Sequence, residues 1–280
     1  MISRPDLNSF VPDLPTLSYP DHEISALERL EQLFIEWQQC FAKNIQKIQD
    51  HGSYYNADAM VCDGFYPHYF SQKPKVLFVG KESIGMSGQN YIQSLHHTYK
   101  SVKSLGRGKD GQGKEKRPTP LNKSKFHSRI LKLTYALTKG LPSWKDIPRA
   151  TEIGDTFGLD GGVSCAFMNL SKFSTERAFW SANWPLITAS NRVSEGASFA
   201  EREVSILQPD IIIAMKLREG LALLGKRKPA GDSATTYWLN SNGHNSLLIE
   251  TFHFSAVKSD TRDYYQPICD SIREYLPGVI

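Results

Sequence analysis

The sequence predicts an α/β fold, a three-layer sandwich around a central, mostly parallel four-stranded sheet. Three observations predict it. Four short runs are almost wholly apolar, at 75–80, 164–170, 209–215 and 246–252. Helical periodicity fills the intervals between and after them, at about 126–139, 198–208, 217–225 and 261–276. Apolar strands that alternate with helices belong to a sheet covered on both faces.

The elements follow in order. Residues 1–20 are rich in Pro and Ser and read as an irregular arm. From Asp21 the residues Ile24, Leu27, Leu30, Leu33, Phe34, Trp37, Phe41, Ile45 and Ile48 recur mostly at steps of three or four. That spacing predicts one long amphipathic helix ending near His51-Gly52. The chain therefore divides into an N-terminal arm and helical extension, 1–52, and an α/β domain, 53–280, with a basic insertion at about 100–132. An aromatic-rich loop, 63–70, precedes the first strand. Open parallel sheets bind ligands at the carboxyl ends of their strands. The residues to question are thus Lys81-Glu82-Ser83 after the first run, Asn169 closing the second, and His253-Phe254-Ser255 after the fourth. The third run ends at Met215-Lys216 with no comparable polar cluster.

Composition excludes several classes. No stretch approaches the ~20 apolar residues that span a bilayer, and the first residues carry no secretory pattern. The expectation is a cytoplasmic protein with no membrane role. The four cysteines at 40, 62, 165 and 269 form no CxxC pair, so neither zinc nor an iron–sulfur cluster is expected and the thiols should be reduced and mostly buried. Adjacent His96 and His97 cannot both face one metal on a regular helix. No cofactor and no obligate protein partner is implied, and a monomer is expected.

Charge is unevenly placed. The formal net charge is +4, yet residues 100–132 hold eleven basic side chains against Asp110 and Glu115, a local +9 that leaves −5 elsewhere. Gly106, Gly108, Gly111 and Gly113 lie among these charges, as in a solvated surface loop. The same concentration of charge suits a phosphate backbone, where each neutralised phosphate releases a counterion. Lys114, Lys116 and Arg117 are the candidate phosphate contacts.

The strand-end residues resemble the uracil-DNA glycosylase superfamily. The first strand ends in Gly80-Lys81-Glu82-Ser83-Ile84-Gly85, where the family has a Gly-x-Asp/Asn-Pro type motif. A middle strand ends in Phe167-Met168-Asn169-Leu170, where the family has a base-reading Asn. A late strand ends in His253-Phe254-Ser255, where the family has His-Pro-Ser. The strand–helix pair from Leu207-Gln208-Pro209-Asp210 to Gly225 falls between the last two, and the resemblance covers about residues 60–276. It departs from the family at Ser83 and Phe254, each standing where the family has Pro.

The resemblance implies a DNA glycosylase that flips out a base and hydrolyses its C1′–N bond, without a lyase step. Glu82 would stabilise the sugar cation and activate water, and His253 would stabilise the departing base. Asn169 would read the base, with Phe65 and Tyr66 (Tyr69 beside them) stacking on it. Ser255, Phe254, Lys81 and Ser83 would contact DNA with the basic insertion. Phe254, Leu105 or Leu121 would fill the gap left by extrusion. The two departures favour a modified pyrimidine over plain uracil; a hypermodified cytosine of phage DNA would imply antiviral defence. Uracil excision in repair, a non-catalytic nucleic-acid-binding module of the same fold, and an enzyme acting on free nucleosides stay open.

Overall fold

In this computed structural model the described residues are 14–46, 60–83, 86, 88–106, 117–173, 182–192, 194 and 196–278. Helix α1 (Asp21–Lys43) buries Leu30, Leu33, Phe34, Trp37 and Phe41 on one face, as their spacing requires. Its Glu23 carboxylate accepts the backbone N–H groups of His68 and Phe70 at 2.9 and 2.8 Å, tying the helix to the aromatic loop. α1 runs to Lys43, a turn follows at Asn44, and residues 45–46 are helical again; residues 47–59, where the expected end at His51-Gly52 falls, lie outside the described residues.

The chain continues through β1 (Gly64–Phe65), β2 (Val76–Gly80), α2 (Tyr91–His97), the small hairpin β3 (Ser104–Leu105) and β4 (Thr119–Pro120), and α3 (Lys125–Thr138). Then come α4 (Ala150–Thr156), β5 (Ala166–Asn169), α5 (Trp184–Asn191), α6 (Phe199–Leu207), β6 (Ile211–Met215), β7 (Lys226–Pro229), β8 (Thr236–Ser241), β9 (His244–Thr251) and α7 (Gln266–Tyr275).

The main sheet has seven strands in the order β1-β5-β2-β6-β9-β8-β7, not four. The four apolar runs are its contiguous parallel centre, β5-β2-β6-β9. Antiparallel strands flank it: β1 beside β5, and the β7–β8 hairpin beside β9. These edges escape a search for apolar runs. β1 is two residues long, and β7 is an exposed Lys-Arg-Lys-Pro. Charge and proline on an edge also discourage pairing with another chain.

Alternation along the central strands makes the three layers. Leu77, Val79, Met168, Ile212, Ala214 and Leu248 pack against α1, α5 and α6. Val76, Phe78, Phe167, Ile211, Ile213 and Leu247 pack against α2, α3, α4 and α7. Helix α1 thus shares the core of the sheet, with Trp37 stacked on Phe199 of α6 at 5.0 Å.

Candidate functional site

Parallel pairing brings the carboxyl ends of β2, β5, β6 and β9 to one rim. The register sets Gly80 beside Asn169, Val79 beside Ala214, and Met215 beside Thr251. Pairing persists past the strands, where Leu170 N–H donates to Gly80 O at 3.1 Å and Ser171 N–H to Lys81 O at 2.7 Å. The polar residues following these strands are therefore gathered by topology.

Gly80 is there because of Asn169. A Cβ at position 80 would lie 2.4 Å from Asn169 Oδ1. Asn169 is buried and its backbone N–H donates to Asp63 Oδ2 at 2.7 Å. Its side-chain amide makes no hydrogen bond among the described residues, which leaves it able to read a ligand edge. Beneath it the Lys172 ammonium pairs with Asp63 and, at 2.7 Å, with Glu203, all three side chains being buried. Glu82 stands half-buried two residues beyond the Gly80–Asn169 pair.

His253 leaves β9 on a loop that is firmly held. The buried Arg129 guanidinium donates to the carbonyls of Phe254, Ala256 (2.9 Å) and Lys258 (3.0 Å). It also pairs with Asp260 at 2.7 Å and lies 4.2 Å from the Tyr264 ring centroid. The Tyr264 hydroxyl donates to His253 O at 2.9 Å. Arg129, one of the eleven cations of the basic segment, is thus an internal strut. Ser255 N–H donates to His253 Nδ1 at 3.3 Å, which in the neutral imidazole puts the proton on Nε2. Burial, and then the charges of Lys81 and Lys216, hold the His253 pKa below its ordinary value.

An aromatic wall completes the site. The Phe126 ring lies 5.5 Å from that of His253 and 6.1 Å from Phe167, on which Tyr91 stacks at 4.7 Å. Phe126 is half-buried at the start of α3. It went unread because it lies in the segment notable for charge, although its Lys-Phe-His setting at a helix start was a usable signal.

Several expected roles do not fit the geometry. Phe65 and Tyr66 are buried, as is Tyr69, so they cannot stack on an extruded base. Phe65 sits in β1 against Phe70 at 5.1 Å, and Tyr66 packs on Phe157 at 4.6 Å. Phe254 is fully buried against Phe78 and Tyr264, so it is neither wedge nor DNA contact; Leu121 is equally enclosed. Ser83 is buried as well. Lys81 is half-buried, whereas Ser255 and Arg117 are exposed. Lys114 and Lys116 lie outside the described residues.

Among the described residues no group of three His, Cys, Asp or Glu side chains could hold a metal ion. No described helix is long and apolar enough to cross a membrane, and the four cysteines are free thiols. No family model matches the chain, and no curated protein or solved structure matches it either.

Proposed function

We propose that this chain is a DNA glycosylase that extrudes a pyrimidine and hydrolyses its N-glycosyl bond. The observation that carries the reading is the meeting, on one sheet rim, of an amide whose side chain makes no hydrogen bond among the described residues (Asn169), an imidazole fixed through Nδ1 (His253), and the acid Glu82. Breaking C1′–N builds positive charge on the sugar and negative charge on the base. Glu82 stabilises the first and orients or deprotonates the attacking water; His253 Nε2–H stabilises the second. Asn169 reads the Watson–Crick edge, and Phe126, in place of Phe65 and Tyr66, offers the stacking face. Val257, 85% exposed on the loop that Arg129 braces, is the apolar residue placed to fill the gap.

A neutral imidazole supplies a dipole, not a proton. That favours a base departing as an anion, which uracil and 5-substituted uracils do more readily than a cytosine-type ring. With Phe254 in the core, its departure from the family motif bears on packing more than on DNA contact. Of the modified pyrimidines, those with a uracil-type ring fit this site better than hypermodified cytosine.

The test is a panel of duplexes containing uracil, 5-substituted uracils or glucosylated hydroxymethylcytosine, with abasic sites mapped by alkali. Abasic product is expected from the uracil-type duplexes and lost in Glu82→Gln and His253→Ala. No abasic product from any duplex would leave the binding module, and turnover of free nucleosides alone would leave a nucleosidase. Gly80→Ala gives a finer check. The added methyl must push the Asn169 amide aside, which costs the fold little because that amide is the end of a side chain. Excision should fall by about 100-fold, the usual result of roughly 1 Å of misplacement, with the melting temperature nearly unchanged.

A further inference from the structure

Beyond β6 the chain carries a feature that the excision chemistry does not use. Lys216 and Arg218 both adopt left-handed backbone conformations, φ 55° and 50°, which are uncommon for side chains of this kind. Leu217 between them is fully buried, so the backbone is anchored while both flanking cations stay exposed. Lys216 N–H donates to Thr251 O at 2.9 Å, and Arg218 N–H to Glu250 Oε1 at 2.7 Å. On the neighbouring strand Lys81 leaves β2 with its ammonium 5.8 Å from the Trp184 ring. Lys216 and Arg218 both bear electrostatically on Lys81, with Glu82 the acid acting on it. Among the described residues none of the three cations has an ion pair within 4.0 Å.

Beside them runs a groove of about 310 Å³, lined by Lys216, Arg218, Thr251 and the exposed ring of Phe252. Its two acids are already engaged. Glu250 holds the Arg218 N–H, and Asp263 accepts from Ser259 N–H at 2.7 Å and pairs with Arg262. What remains on offer is Lys216 and Arg218 in the groove, Lys81 at the end of the neighbouring strand, and the exposed Phe252 ring, over which the Lys258 ammonium lies 4.7 Å from the centroid. Phosphodiester oxygens and an adjacent base have that pattern in reverse.

We propose that Lys81, Lys216 and Arg218 form a backbone-phosphate subsite, gripping the strand that carries the extruded nucleotide immediately beside it and separately from residues 100–132. The proposal rests on the glycosylase reading and names how that site holds its DNA. It also accounts for the fold tolerating two cations on a strained turn close to a third, Lys81, at the end of the neighbouring strand, since the diester neutralises them.

The experiment compares wild type with a Lys216→Ala/Arg218→Ala variant, binding a duplex that carries a non-cleavable 2′-fluoro target nucleotide across a salt series. Losing two phosphate contacts should flatten the log–log salt slope by about 1.8. Neutral methylphosphonates flanking the target should abolish the difference between the two proteins. An unchanged slope overturns the subsite, as does a difference that survives the methylphosphonates. Inorganic phosphate competing as well as the oligonucleotide would mark a free-phosphate site and overturn it too. Those failures, in a wild type that still excises, refute the subsite alone; a wild type that neither binds DNA nor releases a base from it refutes the glycosylase reading with it.

Discussion

Lys172→Met should lower the free energy of unfolding by about 3–5 kcal/mol, the range for removing one partner of a buried ion pair. Lys172 is fully buried between Asp63 and Glu203, and its ammonium lies 5.2 and 5.5 Å from the Phe34 and Trp37 rings. Without it, two carboxyl groups face each other in an apolar pocket with no cation. Burial, and the nearby Asp63, push the Glu203 pKa well above its ordinary value, against the opposing pull of Lys172. Burial thus works against a charged Glu203, and the Lys172 ammonium is what offsets it.

The raised pKa of Glu203 sets the sign of the pH dependence. An acid whose folded pKa is raised binds more protons folded than unfolded, so its contribution falls as pH rises above the ordinary carboxyl value. Glu203→Gln removes that titration and should flatten that part of the stability–pH curve. Urea melts between pH 5 and pH 8 check both variants. A Lys172→Met protein as stable as wild type would mean the two carboxyls are relieved in some other way. The same substitution should loosen Asn169, because Asp63 accepts that residue's N–H through its other oxygen.

The central sheet was legible because burial on both faces leaves an unbroken apolar run. The edges were not, since β7 has no apolar residue facing a core. The rim was legible for a topological reason: parallel strands must end together, so Gly80, Asn169 and His253 could be grouped without knowing any contact. Side-chain direction was the missing quantity. Phe254 points into the core between His253 and Ser255, and nothing in an aromatic's identity tells which way it turns. Arg129 counted as one more cation, although its neighbours Ile130 and Leu133 place it on the buried side of α3. Lys216 and Arg218 were passed over because the third run ends at Met215-Lys216 with no polar cluster like those closing the other runs.

His253→Ala should slow excision by about 100- to 1000-fold, the cost of removing one preorganised donor from a developing anion. The loss should shrink with a better leaving base. 5-Fluorouracil, whose ring nitrogen is more acidic than that of uracil, needs the donor less. The pH profile follows from the imidazole. Burial, with Lys81 and Lys216 adding to it, keeps the His253 pKa below the usual 6.5, so the ring is neutral through neutral pH and protonates only in more acid solution. Its contribution is then level across neutral pH and changes only below that value. Lys216→Ala removes one of the two repelling charges and should move the imidazole titration upward, though not fully back, because burial remains the larger cause. Following the labelled imidazole by NMR measures that shift in the absence of turnover. An imidazole that titrates at or above the usual value in wild type would make His253 a cation under assay conditions. It would then be a proton donor, and the preference for uracil-type rings would lose its basis.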